Sequence, residues 1–122
     1  MKKIQDIYKA LGDYGCLLFC YLKEAGIKTD IVKHFNDLVE FDIIDEDCFI
    51  KDGNRLLKYF GSELRVVRGT NENGNTIVPY KYLNNEHFVI VDENKNIVFN
   101  SLKNSQCVRL GEPNWSKARY LV

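Results

Sequence analysis

The feature that most constrains this chain is a change of period near Gly61. Before it, apolar residues recur three and four positions apart, the spacing of one helix face. After it come short runs rich in β-branched residues, set apart by Asn, Gly, Asp and Ser. One chain therefore carries two kinds of local order, helices first and strands second.

The helical half predicts four elements. Ile4, Ile7, Tyr8 and Leu11 form the first stripe, with Gly12 as a left-handed C-cap. The second runs over about residues 14–25 through Leu18, Tyr21, Leu22 and Ala25. Asp13 is placed to cap its start, and Gly26 ends it. The third is capped by Thr29 or Asp30 and carries Ile31, Phe35, Leu38 and Val39. The fourth, "GNRLLKYFG", runs from Asp52 to Gly61 with Leu56, Leu57 and Phe60 on one side. Predicted strands follow at 64–67, 76–80, 87–91, 96–100, 107–110 and 118–122, with "TNENGN" and "DENKN" as hairpin turns. Helices followed by strands predict an α+β fold, with N-terminal helices packed on a C-terminal antiparallel sheet.

The length, 122 residues, predicts a single domain over 1–122. Lys+Arg and Asp+Glu are 17 each, so no net charge grips a nucleic-acid backbone or an anionic membrane. The start "MKKIQDIYKALGDYG" carries charges throughout and does not continue as a secretory leader, and no stretch reaches the length of a membrane span. The cysteines Cys16, Cys20, Cys48 and Cys107 are irregularly spaced. They read as thiols in a reducing, cytoplasmic compartment rather than as a disulfide framework. No CxxC pair exists, and His34 and His87 are the only histidines, so neither a metal nor a cofactor is expected. The acidic run "EFDIIDED" has no second acidic cluster to complement it and reads as a helix end and loop.

Two residues carry a chemical expectation. Cys16 falls in the first turn of the second helix, where unpaired N–H groups and the helix dipole favour a thiolate. His87 opens the apolar strand "HFVIV", which turns through "DENKN" and returns as "NIVFNS". If Val91 faces Ile97, alternation sets His87 opposite Ser101 with Asn100 next to it. A polar residue there would orient the imidazole. For each cysteine the alternative is packing, since free cysteine is among the most buried residue types. Cys20, Cys48 and Cys107 are assigned to core or edge positions, and His34 to the surface.

In this order of parts the chain resembles small papain-like cysteine peptidases of the bacteriocin-leader-processing type. The resemblance rests on "GC" before a helix, "LLKYFG", "HFVIV" and the polar pair Asn100-Ser101, over roughly residues 13–102. Small phage- and plasmid-borne proteins share the same look. The resemblance implies a papain-like fold, Cys16 as nucleophile, His87 as general acid/base and Asn100 as the orienting residue, with Ser101 as the alternative. Two departures stand out. The return strand of that family most often ends in aspartate, and a glutamine precedes its cysteine closely. Here the nearest upstream glutamine is Gln5, on the first helix.

Two functions are expected from this. One is a thiol hydrolase acting on a peptide or amide bond of a peptide or protein substrate. The other is an inactive domain of that fold that binds and inhibits a host defence complex, with residues 42–47 or 70–75 as the contact surface.

Overall fold

The computed structural model describes all 122 residues, which divide into two compact units, Met1–Arg65 and Val66–Val122. The fold is mixed α+β, with helices in the N-terminal unit and an antiparallel sheet in the C-terminal one.

The first unit holds α1 (Ile4–Tyr14), α2 (Cys16–Glu24), α3 (Ile31–Glu40) and α4 (Gly53–Tyr59). α1 packs on α2 and α3, and α2 packs on α4. Most of the stripes read from the sequence form the interior, but Ile4 and Tyr8 of the first stripe are exposed, so α1 buries only its Ile7–Leu11 side. Ile7, Leu11, Leu18, Leu22, Phe35, Leu38, Leu56 and Leu57 are all buried. Each such side chain stabilises the fold by roughly 1.5–3 kcal/mol relative to exposure. Asp30 caps α3 by accepting from Val32 N–H, and Asp52 caps α4 by accepting from Asn54 and Arg55 N–H. After α3 the chain closes a tight loop through an Ile44–Ile50 bridge. Inside that loop the Asp45 carboxylate accepts from the Asp47 and Phe49 N–H groups.

The junction of α1 and α2 departs from expectation. Gly12 does not end α1, which runs on to Tyr14. The break comes at Gly15, whose N–H donates to Leu11 O at 2.9 Å. A Cβ at Gly15 would lie 2.4 Å from that same oxygen, so only glycine fits. Asp13 therefore belongs to α1. Its carboxylate pairs with Lys9 one turn back at 2.7 Å, and α2 begins without a side-chain cap.

The second unit holds β1 (Val66–Arg68), β2 (Thr76–Tyr82), β3 (Asn85–Val91), β4 (Ile97–Phe99), α5 (Gln106–Leu110), β5 (Glu112–Pro113) and β6 (Arg119–Leu121). A short 3₁₀ turn, Trp115–Lys117, precedes β6. The strand order is β1-β6-β2-β3-β4, with β5 also on β2. Pro79 stands where the second partner of β2 changes from β6 at Ile77 to β5 at Tyr80. A residue without an N–H is tolerated where a ladder is interrupted. Val78, Val89, Val91 and Ala118 form a buried cluster, and Tyr80, Val108 and Trp115 pack against it.

Two further expectations change here. "TNENGN" is not a hairpin, because β1 pairs with β6 rather than with β2. Residues 107–110 form part of α5 and not a strand. Ser105 Oγ caps the helix by accepting from Val108 N–H at 3.4 Å, and the Gly111 N–H closes it on Cys107 O at 3.0 Å. These end contacts outweigh the β preference of one valine in a run of four. The hairpin at "DENKN" does form. Asp92 Oδ1 accepts from the Asn94 and Asn96 N–H groups, both at 2.9 Å, and Lys95 takes a φ of 66°.

Candidate active site

Cys16 is the first residue of α2 and is half-buried. The helix leaves its first N–H groups to be met from outside. Neither Gly15 nor the Lys9-paired Asp13 supplies a side-chain oxygen to them.

The four cysteines form no disulfide. Cys20, one turn along α2, is fully buried, and burial pushes its thiol well above the ordinary range, with the charges of Cys16 and Glu24 adding to the effect. Cys48 is buried in the loop after α3 with a φ of 64°. Burial first, then the Asp45 carboxylate, pushes its thiol up to about 12, against the opposing charge of Lys2. Both thiols stay protonated at neutral pH and are poor nucleophiles. Cys107 is buried on α5.

His87 is buried on β3, directly opposite Tyr80 of β2. Alternation places it on the face of Val89 and Val91. Its Nε2 lies 2.6 Å from Asn100 Oδ1. That same oxygen accepts from the Leu102 N–H at 3.0 Å. A backbone N–H only donates, so the Asn100 amide orientation is fixed with its oxygen toward both partners. The neutral imidazole then carries its proton on Nε2 and its lone pair on Nδ1. One asparagine thus sets both the ring plane and the tautomer, which fits the ring to take a proton at Nδ1 and to hold the resulting imidazolium.

A β-bulge decides which residue fills the orienting position. Val91 pairs with Ile97, but Ile90 pairs with Phe99, so β4 spends one extra residue there. Unbulged register would bring Ser101 opposite His87. With the bulge, Asn100 meets the ring, and Ser101 is exposed. The sequence carried no sign of the bulge, nor of the Leu102 N–H as the second donor.

The remaining candidates fall elsewhere. Gln5 is exposed on α1. His34 is half-buried, with Nδ1 2.9 Å from the Tyr59 hydroxyl, and ties α3 to α4. No group of three or more His, Cys, Asp or Glu side chains is arranged to hold a metal ion. No helix is long and apolar enough to cross a membrane. Compared with protein-family models, curated proteins and solved structures, the chain shows no match.

Proposed function

We propose that the chain is a papain-like thiol hydrolase acting on a peptide or amide bond, with Cys16 as nucleophile, His87 as general acid/base and Asn100 as the residue that orients the imidazole. The reading rests on one observation: the 2.6 Å bond from His87 Nε2 to an asparagine oxygen that a backbone N–H already holds in place. A buried histidine needs only some partner. This partner leaves the Nδ1 lone pair for chemistry. In the reaction, Nδ1 takes the Cys16 proton and the thiolate adds to the substrate carbonyl. The imidazolium then protonates the leaving amine. Water, deprotonated at Nδ1, releases the acyl group and restores the thiol.

The test is alkylation by iodoacetamide near pH 6 with peptide mapping of the labelled thiols. Selective labelling of Cys16 that is lost in His87→Ala is the expected result. Equal, slow labelling of all four cysteines overturns the reading.

A second reading, an inactive domain that inhibits a host defence complex, is favoured by the loop after α3. That loop is cross-braced by Asp45 and presents Phe49, 67% exposed, beside exposed Glu46 and Asp47. It predicts that a host phenotype of the expressed chain survives Cys16→Ala and disappears in Phe49→Ala. The reverse pattern removes it.

A further inference from the structure

The sheet has two outer strands, and they are finished differently. β1 pairs only with β6, and β4 pairs only with β3. Each leaves a row of backbone N–H and C=O groups without a neighbouring strand. β1 keeps Val66 and Val67 half-buried and exposes only Arg68. A charge on an outer strand guards it against pairing with another chain. β4 has the opposite make-up. Ile97 and Val98 are exposed, the latter by 52%, and Leu102 is exposed just beyond. Residues 96–102 include no charge and no proline. The bulge in β4 sharpens the local twist and limits any further pairing to a few residues. It does not close the edge, and it leaves Val98, the extra residue, in water.

The symmetry of this edge names its occupant. Residues 96–100 run Asn-Ile-Val-Phe-Asn, polar at both ends and apolar between, in either direction. Two copies laid antiparallel about Val98 set Asn96 against Asn100, Ile97 against Phe99 and Val98 against itself. The charges agree with that direction. Within residues 92–103 the charged groups are Asp92, Glu93, Lys95 and Lys103. Asp92 accepts the turn N–H groups, and Lys95 lies over the Trp115 ring at 5.4 Å. Glu93 and Lys103 stand at opposite ends of β4, exposed and outside the ion pairs of the chain. Antiparallel pairing brings Glu93 of each copy to the end where the other carries Lys103, whereas parallel pairing would set like against like. Arg109 belongs to α5, which packs on β2 and β3.

We propose that two copies of this chain associate through β4, antiparallel about Val98, so that their sheets become continuous. The interface is isologous, and it closes at two copies because the other outer strand of each is guarded by Arg68. A strand of three residues makes a small contact, so the dimer is weak and forms as concentration rises. The association stands apart from the hydrolase reading, since the Asn100 side chain stays on His87.

The test is sedimentation velocity on the full chain from low micromolar to millimolar concentration. The mass is expected to rise from 14.2 kDa toward twice that value and no further. Val98→Lys sets two like charges against each other at the centre and should weaken the dimer at least about fivefold. Val98 is exposed, and circular dichroism checks that the variant keeps its helix and sheet content. Glu93→Lys and Lys103→Glu should each weaken the dimer severalfold, and the variant carrying both should recover the native affinity. A chain that stays monomeric throughout overturns the proposal and leaves the edge to an extended segment of another protein. A dimer indifferent to Val98→Lys, a double charge variant no tighter than either single one, or growth past two copies also overturns it.

Discussion

The two units bury different chemistry. The interior of the helical unit is built from aliphatic, aromatic and thiol side chains, while the buried Thr76, His87 and Ser105 all belong to the sheet unit. Thr76 and Ser105 each accept from a nearby backbone N–H, of Asn71 and Val108, and so close a turn and cap a helix. His87 differs from both. Its partner is a side chain thirteen residues away, and that side chain is itself held by the backbone. A fold can replace a buried polar pair by apolar groups of similar shape at little or no loss. The contrast separates residues that shape the chain from one whose polarity the shape does not require.

The harshest trial of that contrast is in the helical unit. Phe35 is fully buried, and Phe35→Ala should cost about 3–5 kcal/mol by urea unfolding. A cost under about 1 kcal/mol would mean that the apolar interior does not carry that unit. Next comes pH. Cys20 and Cys48 ionise less readily folded than unfolded. Their stability contribution is therefore full below the unfolded thiol pKa of about 8.5 and is lost as pH rises toward about 12 for Cys48. Unfolding midpoints should fall as pH rises from about 8.5 toward about 12, and less steeply in Cys48→Ala. An identical slope in the variant would place Cys48 in water.

In the sheet unit, Asn100→Ala leaves the buried Nε2–H without its acceptor and should cost about 1–3 kcal/mol. The paired change His87→Phe with Asn100→Leu should recover most of that loss while abolishing His87-dependent alkylation of Cys16. If the double variant is no more stable than Asn100→Ala, then the fold does require this pair and the contrast collapses. The smallest effect is a gain. Leu83→Asn relieves a left-handed leucine and should stabilise by roughly 1 kcal/mol in thermal unfolding. A loss there would mean that Leu83 packs rather than protrudes.

Much of the helical unit was legible because its signals are local. Period, cap and stop agree at α3 and α4, where Asp30, Asp52 and Gly61 stand as read, the last with a φ of 81°. The misreadings arose where a distant or backbone contact prevails. Gly15 rather than Gly12 divides α1 from α2 because Leu11 O leaves no space for a side chain. Residues 107–110 coil into α5 because Ser105 and Gly111 close the two ends of a short turn against β2. The strand β1 finds β6 near the chain's end, a pairing that no turn signal announces.

By itself the sequence determined that helices come first and strands second, most of the stripes that become the interior, and the pair Cys16 and His87 as residues of interest. Periodicity and capping act within a few residues, so one chain read alone suffices for them. Only the tertiary structure decided which polar residue meets His87. That choice rests on one extra residue in β4, and a bulge is set by how two strands pack. It moves Asn100 onto the imidazole and leaves Ser101 in water.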